Sequence, residues 1–483
     1  MNRMQVRRLL TGVLTTVTVI GLASVLVVAA TPGNDDPSAV GVDPSAATAD
    51  TEESTTATTA TTTTTADSIV PATTLPAASA DDPSEPAADA ATTTTTPATT
   101  AAPTTTAAPT TLPPETTVAP PALGPLDGNW TTQGPGIIDA AGEPVTIRGI
   151  NWFGFETDFG APHGLWERPW KDMVDQVADL GFNTLRLPFA SATLNDASVP
   201  DGSIAGPNPD LAGLTSLEVM DQIVAYADAV GLAVILDRHA LGTGVRHHLW
   251  YDENHPPERL IEDWQLLAER YRDDTNVIGA DLYDAPHDSA CWGCGDPAVD
   301  WRIAAEAAGN AIHEIAPEWL VFVAGVEHLG GASCDTSGAA DCTWHGSNLA
   351  GAVDAPVTLA VPGKVVYSTH DYGTSVFRQR WFDDPAFPEN LPAVWEQFWG
   401  RVASTGTAPV VVNGFAARLD TEIDRVWQQR LLDHLAATGT GFNYWALNPN
   451  ADDNGGLLLD DWVTVDSNRF SMLEPYLTGP FPT

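Results

Sequence analysis

Short apolar runs alternate with longer amphipathic segments from about residue 125 to the end of the chain. In the segment 260–272, Leu260, Trp264, Leu267 and Tyr271 recur at helical spacing on one face. The same periodicity predicts helices at residues 171–180, 217–230, 304–316 and 421–438. Predicted strands, rich in β-branched and aromatic residues, lie at 146–151, 184–188, 233–237, 277–282, 320–323, 365–368, 409–412 and 442–445.

This alternation of strands and helices predicts an α/β fold, specifically a (β/α)8 TIM barrel. A doubly wound open sheet is the alternative, but no glycine-rich phosphate loop follows the first predicted strand. In a barrel of this kind, functional side chains project from the carboxyl ends of the strands. We therefore look for candidate chemistry at those ends.

The residues before the predicted barrel have a different composition. Arg3, Arg7 and Arg8 precede an apolar run at 9–30 that ends in small residues, which indicates a signal peptide or a membrane anchor at residues 1–30. Residues 31–124 are rich in Thr, Ala and Pro and contain no Lys or Arg, which is typical of a disordered linker. We expect an exported protein, extracellular or on the cell surface, whose folded domain occupies 125–483.

The composition supports this domain boundary and limits the kinds of partner that the protein can bind. No Phe, Trp or Tyr precedes Trp130, so the residues that build a core all follow it. The chain has 21 Lys and Arg against 63 Asp and Glu, a formal net charge of -42, which argues against nucleic acid as a partner. We expect a monomer with no cofactor or metal, in contact with a membrane only through an N-terminal anchor.

Four cysteines form two local pairs, Cys291 with Cys294 and Cys334 with Cys342. In an exported chain this spacing favours two disulfides in the loops after the fourth and fifth barrel strands. A zinc or redox site is the alternative.

The motifs at the predicted strand ends resemble those of a known family. Their sequences are GINWFG at 149–154, NTLRLP at 183–188, ILDRH at 235–239, YSTHDY at 367–372 and FNYWALNP at 442–449. Together they resemble glycoside hydrolase family 5, and especially actinobacterial endo-β-1,4-glucanases, which also share CWGCGDP at 291–297. The resemblance extends over roughly residues 136–476.

The resemblance implies a retaining hydrolase with two catalytic glutamates, and this sequence lacks both. The DAPH motif at 284–287 places Ala285 at the acid/base position, and NGFA at 413–416 places Gly414 at the nucleophile position. Retaining hydrolysis needs two carboxyl groups about 5–5.5 Å apart. Ala240 and Ala324 also stand where relatives carry Arg and Glu. This suggests that the loss of charged residues extends around the mouth of the barrel.

The same resemblance implies that a sugar-binding site is retained. Arg186, His239, His370, Tyr372 and Trp445 match positions that orient the nucleophile or contact the sugar. The flat side chains of Trp166, Trp344 and Trp445 are suited to stacking on sugar rings. We expect a protein that binds β-1,4-glucan-type polysaccharide but is catalytically dead or strongly impaired.

Two other functions fit the sequence. The first is a hydrolase in which Asp284 works with Glu327, Asp288 or Asp371 by a non-standard mechanism. The second is a structural or adhesive surface protein without a glycan ligand.

The missing nucleophile also predicts a contact. Arg186 would lack its usual counter-charge, and a buried cation is costly unless a carboxylate pairs with it. Asp284 stands where relatives carry a neutral Asn. We therefore predict that Arg186 and Asp284 lie within salt-bridge distance, directly or through one water, and that the pKa of Asp284 is lowered.

Overall fold

A computed structural model describes residues 128–477, apart from 196, 245, 335–340 and 452–453. The predicted signal or anchor at 1–30 and the predicted linker at 31–124 lie outside the described residues. Within the described part of the chain, no helix has the length and apolar character needed to cross a membrane.

Eight parallel strands close into a barrel, which confirms the predicted (β/α)8 architecture and excludes the open sheet. In chain order they are β4 (Arg148–Asn151), β5 (Thr184–Ala190), β6 (Ala233–Ala240), β7 (Val277–Asp281), β8 (Leu320–Ala324), β9 (Val365–Tyr372), β10 (Val410–Ala416) and β11 (Gly441–Tyr444). Each strand pairs with the next, and β11 pairs with β4.

Several strands extend further at the carboxyl end than the sequence pattern predicted. The predicted strands 233–237 and 365–368 continue to Ala240 and Tyr372. The hydrophobic pattern ends early there because polar residues occupy the strand ends. As a result, His239, His370 and Tyr372 are fixed by strand hydrogen bonds rather than held in loops.

The barrel is preceded by a small antiparallel sheet that the sequence analysis missed. Its strands are β1 (Thr131–Gln133), β2 (Gly136–Ile138) and β3 (Pro144–Val145), too short to give a periodic signal. Trp130 and Ile137 pack with barrel residues such as Ile147 in one buried cluster. Lys364 Nζ donates to the carbonyl oxygen of Trp130 at 2.7 Å, which ties this segment to the start of β9.

The predicted helices are all present. They are Trp170–Asp179, Ser216–Ala229, Glu258–Tyr271, Trp301–His313 and Glu422–Thr438. Further helical segments at Leu391–Trp395, Arg401–Ser404 and Ser467–Leu473, with a π-helical stretch at Glu396–Gly400, were not predicted. They are short or interrupted, so their periodicity is weak.

Buried indole groups connect the helices to the carboxyl ends of the strands. Trp264 Nε1 donates to the carbonyl oxygen of Leu282 at 3.0 Å, and Trp301 Nε1 donates to that of Ala324 at 2.9 Å. Both indoles are fully buried, so each bond satisfies a donor that would otherwise be costly. These contacts help to fix the rim on which the candidate site is built.

The two predicted disulfides are present. Cys291 is bonded to Cys294 after β7, and Cys334 is bonded to Cys342 after β8. The alternative of a zinc site is wrong for these four residues, because their sulfur atoms are joined in the two disulfide bonds.

Asp371 faces away from the barrel interior. Trp427 of the helix Glu422–Thr438 donates its Nε1–H to Asp371 Oδ1 at 2.9 Å, and both side chains are buried. Burial raises the pKa of Asp371 to about 7, although the Trp427 N–H acts in the opposite direction. The folded state therefore holds a proton that the unfolded state loses at lower pH, and stability falls as pH rises from about 4 to 7.

We expect Asp371→Asn to remove this loss of stability. An amide keeps an acceptor for Trp427 but carries no charge, so the midpoint of thermal unfolding should rise by a few degrees at pH 8 and by little at pH 4. The exposed Asp354 gives the control Asp354→Asn, which should shift the midpoint at neither pH. An equal effect of Asp371→Asn at both pH values would contradict the assignment.

Candidate active site

A cavity of about 550 Å³ opens at the carboxyl ends of the barrel strands. Its lining includes three of the predicted site residues, His239, Tyr372 and Trp445. Phe153, Glu156 and Arg246, which the sequence analysis did not select, also line it. The candidate site therefore lies where the barrel architecture predicted it.

Arg186, in β5, is the buried cation at the base of this site. Its Nη1 lies 3.0 Å from Asp237 Oδ2, and its Nη2 lies 2.8 Å from Asp281 Oδ2 and 3.2 Å from Asp284 Oδ1. Nη1 also donates to Asn151 Oδ1 at 2.8 Å. The predicted contact between Arg186 and Asp284 is thus confirmed, but Asp284 shares Arg186 with two carboxylates that the sequence analysis missed.

Asp284 is also in contact with both predicted histidines. Its Oδ1 lies 3.1 Å from His370 Nε2, and its Oδ2 lies 3.5 Å from His239 Nδ1. Burial alone would raise the pKa of Asp284, but its interactions with His239, His370 and Arg246 lower the pKa well below its usual range. The direction agrees with the prediction, and Asp284 stays ionised at neutral pH.

Asp237 and His239 respond to the same burial in the opposite direction. Burial raises the pKa of Asp237 well above its ordinary value, although Arg186 opposes this. Burial lowers the pKa of His239 to about 4 even though Asp284 lies nearby. Burial therefore disfavours the anionic form of Asp237 and the cationic form of His239.

The two positions matched to the family glutamates carry no polar side chain. Ala285 follows β7 with a left-handed φ of 56° and is 3% exposed. Gly414 lies in β10, where the register with β9 shifts. A Cβ atom added at Gly414 would lie 2.7 Å from Tyr372 Oη and 3.0 Å from His370 Cδ2, so these two rings occupy the space where a side chain would start.

The carboxylates considered as substitutes lie in different surroundings. Glu327 accepts the backbone N–H of Asp288 at 3.2 Å and lies 3.5 Å from His345 Nε2, so it supports the loop conformation. Asp371 faces the helix layer, as described above. Of the four candidates, Asp284 alone contacts the Arg186 cluster within the described residues.

Glu156 is an additional carboxyl group that the sequence analysis missed. It lines the cavity and is 8% exposed, and its Oε2 accepts the backbone N–H of Gly154 at 2.8 Å. Burial raises its pKa, although His239 acts in the opposite direction. The GFET sequence at 154–157 follows β4, and its position directly after a barrel strand was the signal that could have identified Glu156.

The predicted stacking residues do not lie together. Trp445 is nearly parallel to both His239 and Phe153, with ring centroids 5.1 and 5.6 Å apart and interplanar angles of 10°. Trp344 packs edge-on against Tyr372 at 5.6 Å. Trp166 packs against Trp462 at 5.1 Å and against His163 at 5.3 Å. Of the three tryptophans, Trp445 lines the cavity.

Asp237, His239 and Asp284 are also the group whose geometry comes nearest to a metal site. Their potential ligand atoms all lie within 4.8 Å of one another. However, Arg186 already contacts Asp237 and Asp284 at 3.0 and 3.2 Å. A cation here would have to displace a buried guanidinium, so the arrangement favours an ion-pair network.

Comparison with known proteins agrees with the barrel. The family model described as cellulase (glycosyl hydrolase family 5) matches residues 138–451. An endoglucanase of Paenibacillus polymyxa is 45% identical over 350 residues, covering 72% of this chain and 87% of that protein. The major extracellular endoglucanase of Xanthomonas campestris is 38% identical over 341 residues, covering 70% of this chain and 69% of that protein.

Solved structures give the same result. An endocellulase from Pyrococcus horikoshii, as a glutamate-to-alanine variant in complex with cellotetraose, matches with a TM-score of 0.67 and 37% identity. The match covers 74% of this chain and 100% of that one. From the family model, the relatives and the barrel together, this chain belongs to glycosyl hydrolase family 5, the cellulase family.

Proposed function

We propose that this protein binds β-1,4-glucan-type polysaccharide in the barrel-mouth cavity and hydrolyses it weakly or not at all. The observation that carries the proposal is the pair Ala285 and Gly414, which stand at the family's catalytic positions without a carboxyl group. General acid–base assistance is worth about 10²–10⁴ in rate, and the covalent route requires a nucleophile. A methyl group and a hydrogen atom supply neither.

Binding is supported by what remains around these positions. Trp445 and Phe153 line the cavity with aromatic side chains, while His239 and Tyr372 offer polar groups at the same cavity. Two glutamate-to-alanine variants of the Pyrococcus endocellulase are each known in complex with cellotetraose. A loss of single carboxylates is therefore compatible with an occupied cleft in that relative.

Export and attachment are part of the proposal. We infer that residues 1–30 direct export, that 31–124 act as a spacer, and that the barrel works outside the cell as a monomer. The description of the Xanthomonas relative as extracellular supports the location.

A slow hydrolase is the second candidate, and Glu156 is the observation that favours it. A buried carboxyl group with a raised pKa can act as an acid, and Asp284 is an anion in the same site. Its weakness is that Asp284 is engaged by Arg186 and His370, which lowers its basicity and its freedom to move.

We expect cellotetraose to bind without turnover. Calorimetry should show a saturable heat of binding, and chromatography of the same samples should show intact sugar after prolonged incubation. Trp445→Ala should abolish the heat, because it removes the stacking face, whereas Trp166→Ala should weaken it little. Hydrolysis at rates on the order of 1–10³ per second, as in ordinary enzymes, would contradict the proposal.

Restoring one glutamate should leave the protein nearly inert, because the two carboxyl groups act as a unit. Ala285→Glu alone is expected to give no robust hydrolysis, and a robust rate from it would reveal a hidden nucleophile.

The double variant Ala285→Glu with Gly414→Glu should recover weak activity at most. Tyr372 Oη lies 2.7 Å from a Cβ at position 414, so Tyr372 must move to admit the new side chain. Adding Tyr372→Phe removes that hydroxyl and should improve folding of the double variant, which thermal unfolding would measure. If the double variant unfolds at the wild-type temperature without this change, the steric argument is wrong.

A further inference from the structure

Arg246 is a second cation in the cavity, and its environment differs from that of Arg186. The Arg186 side chain is 1% exposed and contacts three carboxylates, whereas the Arg246 side chain is 51% exposed and lines the cavity. Arg246 can therefore be reached by a ligand, and Arg186 is shielded by its partners.

One edge of the Arg246 guanidinium is held by a chain of hydrogen bonds. Its Nη2 donates to His239 Nε2 at 2.9 Å, which requires the His239 proton to be on Nδ1, and Nδ1 lies 2.7 Å from Asp237 Oδ2. Among the residues that the structure describes, no other hydrogen bond is made by this guanidinium. With respect to the described residues, its remaining N–H groups are available to a ligand in the cavity.

The nearby carboxylates leave much of this charge uncompensated. Asp284 Oδ2 lies 3.8 Å from Arg246 Nη2, while Asp284 Oδ1 has closer partners in Arg186 and His370 at 3.2 and 3.1 Å. Glu156 also lines the cavity, and burial raises its pKa and so favours its neutral form. Arg246 therefore presents a positive charge to the cavity that these groups compensate only in part.

The overall charge of the chain restricts the kind of anion that fits. A protein with a formal net charge of -42 repels a polyanion at long range, but this repulsion is screened beyond about 10 Å at 0.1 M salt. A glucan with an isolated acidic unit avoids most of this repulsion and still places one anion against Arg246.

We propose that Arg246 binds the carboxylate of a uronic acid unit within a β-glucan, so that the cavity selects an acidic oligosaccharide over a neutral one. An arginine edge matches the two oxygens of a carboxylate in parallel hydrogen bonds. Trp445, which is stacked on the same His239 that holds Arg246, lines the same cavity and brings an aromatic side chain to it. This inference rests on the proposed glycan binding and adds its substrate class.

The test is calorimetry on the full chain with two tetrasaccharides, cellotetraose and cellotetraose with one glucose unit oxidised at C6 to glucuronic acid. We expect the acidic sugar to bind at least about tenfold more tightly at low salt, because charge-assisted hydrogen bonds are the stronger ones. Arg246→Gln should abolish this preference, so that the two sugars bind with equal affinity. Arg272→Gln is the matched control, since the Arg272 side chain is 50% exposed on the surface, and it should preserve the ratio.

The outcomes separate this inference from the proposed function. Equal affinities of the wild-type protein for the two sugars would overturn the role of Arg246 and leave glucan binding intact. Binding of neither sugar would overturn both. Two measurements do not depend on the folding of Arg246→Gln: the preference of the wild-type protein should fall as salt is added, and Arg246→Lys should keep part of it. A preference unchanged by salt would also overturn the inference.

Discussion

The charge of Arg186 is the constraint on which the arrangement of this site depends. A guanidinium buried at the base of the barrel mouth is stable only when carboxylates and other acceptors surround it. Here three aspartates, Asp237 in β6, Asp281 in β7 and Asp284 in the following loop, surround Arg186. Their carboxylate oxygens lie 2.8 to 3.2 Å from its guanidinium nitrogens. Three carboxylates outnumber one cation, and Asp284 also contacts His370 and His239. Burial raises the pKa of Asp237, which disfavours a further negative charge in the cluster.

This arrangement connects the loss of the family glutamates to the retention of the cavity. Without a carboxylate at position 414, Asp284 supplies a negative charge to Arg186 and His370, and the strand ends keep their positions. The cavity is lined by Trp445 and Phe153, and under the proposed function it binds sugar although Ala285 and Gly414 bring no carboxyl group to it. We therefore propose that the ion network and the strands hold the shape of the cavity without a catalytic pair of glutamates.

The sequence allowed the barrel to be predicted because each strand is a short, buried, β-rich run with a helix after it. It also allowed the contact between Arg186 and Asp284 to be predicted, because a buried cation needs a counter-charge. It did not reveal Asp237 and Asp281 as partners, since register across neighbouring strands decides which carboxylates face Arg186. Arg246 and Glu156 lie in loops beyond the strands, where no periodicity fixes direction, and Trp166 proved to pack against Trp462 rather than line the cavity.

The central claim is that Asp284 has replaced a lost carboxylate at position 414 in the charge balance around Arg186 and His370. A double-mutant cycle with Asp284→Asn and Gly414→Glu, followed by urea unfolding at neutral pH, tests it most directly. The account predicts that each single change destabilises the fold and that the second offsets the first in the combined variant, with a coupling free energy of about 1 kcal/mol or more. Effects that simply add, within about 0.5 kcal/mol, would contradict it.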